Sequence, residues 1–331
     1  MEVRKLQTGE HIDTRFLYEN VFPGDSKAFV DYYYSEKIKD NQIYVVEEDG
    51  KIRAMIHLNP YTFMVNGREK SVNYIVAVAT EEAYRGRGFM KALLHRTLQD
   101  MYKAGESFTF LMPAAEAIYL PYDFRTVYEQ EHRIHQKEQL PNVEIEELTE
   151  AMCEELAYAA NCCLAGNYQV YAHRDKAYYQ RLIKEFASDG AKLMVYRGNG
   201  AIIDLREAVP ADAYEKKPKI MVRIVDARRM LMSVRLKSLM AVCFQITDPI
   251  IEENNRCVVI TGTEFSGVML MDSKVENSEG TLTIGALTSL LFGEKTVDEI
   301  AEEDGVKMTE RMKGELKKIV PLSKIYINEI V

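Results

Sequence analysis

The segment from Tyr74 to Ala92 constrains the fold of this chain more than any other feature. It begins as an apolar run rich in β-branched residues, continues through the turn Arg85-Gly-Arg-Gly88, and ends in an amphipathic stretch. This order predicts a buried strand, a tight turn and a helix that carries an apolar face. Backbone N–H groups at the N-terminus of such a helix bind phosphate groups. The segment therefore predicts a site for a phosphate-bearing cofactor.

The turn alone leaves several interpretations open. A Walker phosphate loop requires Gly-Lys-Ser/Thr after a longer loop, and the chain has no such sequence here. A dinucleotide-binding motif requires three glycines and a downstream acidic residue, and neither is clear. In a third interpretation, the turn is a basic helix cap with incidental glycines and binds no ligand. The surrounding sequence has to decide among them.

Composition limits the classes of protein that the chain can belong to. Its 331 residues predict two or three domains. A net charge of −9 argues against nonspecific nucleic-acid binding and mildly favours a cationic substrate, although ordinary solubility accounts for it equally well. The five cysteines are odd in number and include no Cys-x-x-Cys pair, which indicates reduced thiols and no zinc site. No apolar run approaches a membrane span and no signal segment is present, so a cytoplasmic location is expected.

Three blocks follow one another along the chain. Residues 1–140 alternate helical and strand patterns, with a hairpin predicted at Asn66-Gly67. Residues 141–218 carry two helical segments and a short hairpin before a polar linker. Residues 219–331 predict strands, a helix at 284–292, a helix at 307–318 and a final alternating strand from 324 to 331. The expected fold class is α/β, with a mixed central sheet flanked by helices and a C-terminal α+β domain.

A second motif follows the helix and identifies a family. The segment Ala117-Ile-Tyr119-Leu-Pro-Tyr-Asp-Phe124 comes shortly after the buried strand at 108–112. Together with Arg85, Gly88 and Met90 it resembles the acetyl-CoA motif and the later tyrosine segment of the GCN5-related N-acetyltransferases (GNAT). Met90 departs from the small residue that most members carry there, as in the Eis-like (enhanced intracellular survival) subgroup. That subgroup joins a GNAT domain, a second degenerate GNAT-like domain and a sterol-carrier-like domain.

The resemblance implies a division into a catalytic GNAT domain at 1–140, a reduced second GNAT-like domain at 141–218 and a sterol-carrier-protein-like domain at 219–331. It also implies acetyl-CoA as the cofactor and no metal. Residues expected to bind the cofactor belong to the strand and to the turn: Val76, Val78, Ala79, Thr80, Arg85, Gly86, Arg87, Gly88, Phe89 and Met90. An N–H at Val78 is expected to stabilise the oxyanion.

The catalytic residues follow from the same resemblance. Tyr119 matches the tyrosine that protonates the coenzyme A thiolate. The 71–80 strand offers no carboxylate, and Asn73 is a poor base. In Eis-like enzymes the C-terminal carboxylate enters the site as the base, and here that residue is Val331. The reaction implied is direct attack of an amine within a ternary complex.

The acceptor expected from the resemblance is a primary amine: an aminoglycoside, a polyamine-like molecule or a lysine side chain. Asp25, Asp31 and Glu36 could attract such a cation, although solvated helix positions explain them equally well. A homo-oligomer is expected, with a hexamer among the assemblies of similar proteins, and neither a nucleic acid nor a membrane is expected as a partner. The rival interpretation is a non-catalytic protein that binds or senses acyl-CoA or an apolar ligand.

Overall fold

The structure is a computed structural model that describes residues 2–136, 140–210, 213–214 and 216–330. Strands of the N-terminal block are β1 (Val3–Lys5), β2 (Gln42–Glu48), β3 (Lys51–Val65), β4 (Arg68–Thr80), β5 (Phe108–Leu111) and β6 (Arg125–Glu129). Its helices are α1 (Arg15–Val21), α2 (Lys27–Ser35), α3 (Phe89–Ala104) and α4 (Glu116–Tyr119).

The middle block contains β7 (Val143–Glu147), α5 (Cys153–Asn167), β8 (Val170–Ala172), α6 (Lys176–Ser188), β9 (Lys192–Gly198) and β10 (Ala201–Ala208). The last block contains β11 (Lys219–Ile224), α7 (Ala227–Leu231), β12 (Arg235–Leu236), β13 (Met240–Thr247), β14 (Arg256–Thr263), β15 (Gly267–Asp272), β16 (Gly280–Thr283), α8 (Ile284–Phe292), α9 (Val297–Ile300), β17 (Lys307–Met308), α10 (Glu310–Leu316), β18 (Ile319–Val320) and β19 (Ile325–Tyr326).

A mixed central sheet organises the first block, in the order β1-β2-β3-β4-β5-β11-β6. β3 and β4 form the predicted hairpin at Asn66-Gly67, and β4 pairs with β5 in parallel. The strand β11 comes from the last block in sequence and inserts between β5 and β6 in space. Helix α3 covers one face of the sheet with Leu93, Leu94 and Leu98, while α1 and α2 cover the other face near β2 and β3. The mixed α/β sheet with flanking helices confirms the predicted fold class.

The middle block has its own three-stranded antiparallel sheet, in the order β10-β9-β7. Helices α5 and α6 pack on it through Leu156, Tyr179 and Phe186. Strand β8 leaves this block and pairs with the far end of β3, beyond the reach of β2. The middle block is therefore joined to the central sheet by main-chain hydrogen bonds.

The last block is an α+β unit with the sheet order β15-β14-β13-β16-β17. Every residue of α8 is buried, because this helix packs between its own sheet and the central sheet. The predicted helix at 307–318 is shorter than expected. Lys307–Met308 pair with β16, and the side chain of Thr309 then caps α10 by accepting from the Met312 N–H at 3.1 Å.

The C-terminal segment returns to the first block. β19 pairs in parallel with β8 through Ile325 and Tyr326, whereas residues 327–330 are not in a strand. The prediction of a strand over 324–331 was therefore wrong for 327–330, and Val331 lies outside the described residues. Side chains replace the strand partner at 327–330. The Gln130 Nε2 donates to the carbonyls of Ile327 and Glu329 at 3.2 and 3.1 Å, and the Tyr128 hydroxyl donates to Asn328 at 2.9 Å.

Candidate active site

The centre of β4 is irregular where the predicted cofactor strand begins. Ala77 has a φ of 48°, and the pairing with β3 shifts register between Met55 and His57. Such a bulge turns the following peptide groups away from the regular ladder. β5 pairs only with Tyr74 and Ile75, so β4 from Val76 to Thr80 has a strand on one side alone. The free edge leaves N–H and C=O groups available to an extended ligand.

The turn after β4 has the geometry of an anion site. Gly86 and Gly88 adopt φ values of 76° and 83°, a left-handed conformation that favours glycine. Gly88 is the N-cap of the 16-residue helix α3, and no side chain caps it. Within the described residues, no protein acceptor binds the N–H groups of Arg87, Gly88, Phe89 or Met90. Open donors at the positive end of a helix dipole attract phosphate.

The side chains of the turn play different parts. Arg85 and Arg87 are exposed and bond back to carbonyls of the loop, at Thr80 and Ala83, both at 3.3 Å. Arg87 also lies 4.5 Å above the Tyr84 ring. Phe89 is buried in the core under α3, so only its N–H group faces the turn. The two arginines add positive charge beside the open N–H groups.

Tyr119 lies at the end of α4 and is 7% exposed. Its ring packs edge-on against Phe124 at 5.9 Å, and burial raises the pKa of Tyr119 to about 12. Its hydroxyl makes no hydrogen bond to a described residue. Tyr119 belongs to the same buried cluster as Ile75 of β4. The phenol is thus protonated at neutral pH and free to donate.

The C-terminal segment approaches Lys37 and, through it, Tyr61 of β3. The Ile330 carbonyl accepts from Lys37 Nζ at 3.3 Å, and Lys37 also donates to the Tyr61 hydroxyl at 3.2 Å. The Tyr61 ring lies 6.5 Å from that of Tyr74 on β4. Val331, the predicted base, lies outside the described residues. Its neighbour Ile330 is therefore the last described residue of the segment that approaches β4.

A buried polar cluster at this position was not predicted from the sequence. Lys37 Nζ pairs with Glu185 at 3.4 Å, and the Tyr32 hydroxyl donates to the same carboxylate at 2.9 Å. Burial lowers the pKa of Lys37, but Tyr61 and Glu185 outweigh it and the net shift is upward. The second oxygen of Glu185 is buried without a partner among the described residues. Lys37 and Glu185 are 148 residues apart and carry no motif that could have revealed them.

The three acidic residues considered from the sequence as contacts of the acceptor form hydrogen bonds or ion pairs with other side chains of the protein. Asp25 accepts from the Tyr18 hydroxyl at 2.7 Å, and Asp31 pairs with Arg15. Glu36 pairs with Lys39 and Lys184 at the surface. These pairs favour the solvated interpretation of all three.

Residues 2–127 match the family model described as an acetyltransferase (GNAT) domain. The first block of the chain thus carries an acetyltransferase (GNAT) domain. Residues 224–328 match a second family model, the sterol carrier protein domain. No curated protein matches the chain in sequence.

Solved structures share the fold of this chain over nearly its whole length. A protein of unknown function from Enterococcus faecalis V583, described as a probable N-acyltransferase, has 14% identity and a TM-score of 0.76, with 97% of each chain covered. A GCN5-related N-acetyltransferase from Anabaena variabilis has 14% identity and a TM-score of 0.75, covering 98% of this chain and 99% of its own. Eis1 from Mycobacterium abscessus has 12% identity and a TM-score of 0.70, covering 96% and 97%. At these identities the likeness shows the fold, and it confirms the predicted Eis-like architecture.

The cofactor that the sequence predicts is acetyl-CoA, and the acetyltransferase (GNAT) domain model matches the block that carries the turn. The residues present fit this cofactor: the turn offers open N–H donors to a pyrophosphate, and an added Cβ at Gly86 would meet nothing within 4 Å. No described helix combines the length and the apolar character that crossing a membrane requires.

Proposed function

We propose that the protein transfers the acetyl group of acetyl-CoA to a primary amine by direct attack within a ternary complex. The observation that carries this proposal is the free edge of β4 from Val76 to Thr80, which leads directly into a turn whose N–H groups are open. The unbonded phenol of Tyr119 and the C-terminal segment that Lys37 binds at Ile330 support it. Acetyl-CoA supplies the acetyl group, and its thiolate leaves when the amine nitrogen takes that group.

The proposed cofactor contacts divide between the turn and the strand. The N–H groups from Gly86 to Met90 hold the pyrophosphate, and Arg85 and Arg87 add positive charge. The free edge of β4 from Val76 through Val78 and Ala79 to Thr80 holds the pantetheine arm by main-chain hydrogen bonds. The Val78 N–H is the proposed donor to the acyl oxygen.

The proposed acid is Tyr119. Its hydroxyl holds a proton at neutral pH, since an ordinary phenol has a pKa of about 10 and burial raises that of Tyr119 further. No described residue accepts a hydrogen bond from that hydroxyl. General acids of this kind contribute about 10²- to 10⁴-fold to a rate. The base stays a prediction: the Val331 carboxylate was assigned by resemblance, and the position of Ile330 beside Lys37 and Tyr61 supports it.

A thiol-release assay tests the function. Purified protein is mixed with acetyl-CoA and a set of primary amines, and free coenzyme A and the mass of the amine product are measured. The proposal expects amine-dependent thiol release and a product that is heavier by one acetyl group. Binding of acetyl-CoA without release for any amine would favour the rival function of an acyl-CoA sensor. The predicted homo-oligomer and cytoplasmic location stay predictions; light scattering of the purified chain tests the first.

A further inference from the structure

A pocket of about 200 Å³ lies between the middle block and the C-terminal segment. Helices α5 and α6 and strands β9 and β10 form its walls, and Tyr326 and Ile330 of the C-terminal segment close it. Its deeper wall is apolar, with Leu156, Leu164 and Phe186 buried. A dry cavity of about 150 Å³ with such walls takes up a benzene molecule. This cavity, called here the middle pocket, is therefore large enough for an aromatic ring or a branched chain.

The middle pocket borders a second, smaller cavity. It shares Tyr178, Leu182 and Ile330 with a smaller cavity that is lined by Lys37, Tyr61 and Glu185. Tyr61 lies beside Tyr74 of β4, as described above. In the smaller cavity the free oxygen of Glu185, a residue that is 3% exposed, lacks a hydrogen-bond donor. That oxygen can accept a hydrogen bond from an amine N–H group that passes from the middle pocket towards β4.

Charge distinguishes between classes of acceptor. The described residues that line the two cavities include four cationic and four acidic side chains, so they carry no acidic excess. Most of the charged side chains around the middle pocket form ion pairs or hydrogen bonds with each other or with neighbouring residues. The N···O distances are 2.8 Å for Arg133–Asp204, 3.0 Å for Arg174–Glu329 and 3.0 Å for His132–Glu207. Glu131 is an exposed carboxylate at the mouth. A receptor for a polycation would need several free carboxylates, because each buried ammonium requires a partner.

We infer that the middle pocket holds the apolar part of the acceptor. The acceptor class is then a primary amine that carries one aromatic or branched aliphatic group, and neither an aminoglycoside nor a polyamine fits it as well. This inference rests on the proposed function, since the amine must reach β4 to be acetylated.

The test compares amines that differ only in the group that the pocket would hold. Phenethylamine, ethylamine and spermidine are acetylated under the same conditions by the full chain, and kcat/KM is measured from thiol release. Burial of an aromatic ring predicts a kcat/KM for phenethylamine at least tenfold above that for ethylamine. Equal values, or a preference for spermidine, would overturn the inference and leave the proposed function standing. No thiol release with any amine would overturn both.

Two pocket variants and one control test whether the preference for phenethylamine depends on this cavity. Ala160→Leu in α5 narrows the middle pocket, while Ala165→Leu changes an exposed position of the same helix outside it. The first should raise KM for phenethylamine about tenfold and leave that for ethylamine unchanged, and the second should alter neither. Ile203→Ser at the rim, where Ile203 is 58% exposed, changes the apolar lining without disturbing the core and should also raise KM for phenethylamine selectively. Equal effects of Ala160→Leu and Ala165→Leu, or a loss that is the same for both amines, would contradict the assignment.

Discussion

The Lys37–Glu185 pair offers the sharpest test of how the C-terminal segment is held. Lys37 donates to the Tyr61 hydroxyl at 3.2 Å, to the Ile330 carbonyl at 3.3 Å and to Glu185 at 3.4 Å, which uses all three of its N–H donors. Both side chains are at most 10% exposed. Replacing Lys37 by Met keeps the volume but leaves Glu185 as an uncompensated buried acid. Removing one partner of a buried pair costs about 3–5 kcal/mol of unfolding free energy.

A double-mutant cycle measures this coupling. Lys37→Met and Glu185→Gln should each destabilise the protein by about 3 kcal/mol, because each leaves a buried charge. In the double variant no unpaired charge remains, and the loss should be about 1–2 kcal/mol from the missing hydrogen bonds to Tyr61 and Ile330. The single losses together then exceed the loss in the double variant by about 4–5 kcal/mol, which is the expected coupling energy.

Urea unfolding followed by tyrosine fluorescence and by circular dichroism gives these free energies. The double variant should fold yet turn over more slowly than the parent protein, because the Ile330 carbonyl has lost its donor. Additive single effects, with a coupling below about 0.5 kcal/mol, would show that the two side chains do not interact in solution.

Three further predictions concern the turn, the acid and the base. Gly86→Ala should lower the free energy of unfolding by about 1–2 kcal/mol and weaken acetyl-CoA binding, because φ is +76° at this position. The control Gly166→Ala, within α5, should not destabilise the protein. Calorimetry measures the unfolding of each variant and its binding of acetyl-CoA. The pKa of Tyr119 is raised to about 12, and the acid acts when protonated, so kcat should show no alkaline decline from this group between pH 7 and about pH 10; a decline centred near 9 that is lost in Tyr119→Phe would refute this. Adding one glycine after Val331 should lower kcat sharply with little change in melting temperature, and unchanged turnover would remove Val331 as the base.

The local features of the fold were predictable because they depend on neighbouring residues. The strand, turn and helix around Arg85-Gly-Arg-Gly88, the hairpin at Asn66-Gly67 and the capped helix α8 all follow from short patterns and are confirmed. The position of Tyr119 followed from its motif.

Features that depend on distant parts of the chain were not predictable. β11 inserts between β5 and β6, although its sequence continues into the last block. Lysine and glutamate usually lie at the protein surface. Lys37 and Glu185 are buried together only because α6 packs against α2. The middle pocket is likewise lined by residues from distant parts of the chain: α5, α6 and the C-terminal segment. The domain boundaries at 140/141 and 218/219 stay predictions.

The most direct test of the proposed chemistry is the turnover of Tyr119→Phe. Phenylalanine keeps the packing against Phe124 and removes only the hydroxyl, and Tyr122→Phe serves as the matched control three residues along. Measured with acetyl-CoA and an accepted amine, kcat of Tyr119→Phe should fall about 10²-fold while the Kd for acetyl-CoA stays within twofold of the parent value. A kcat equal to that of the parent protein would contradict the assignment of Tyr119 as the acid.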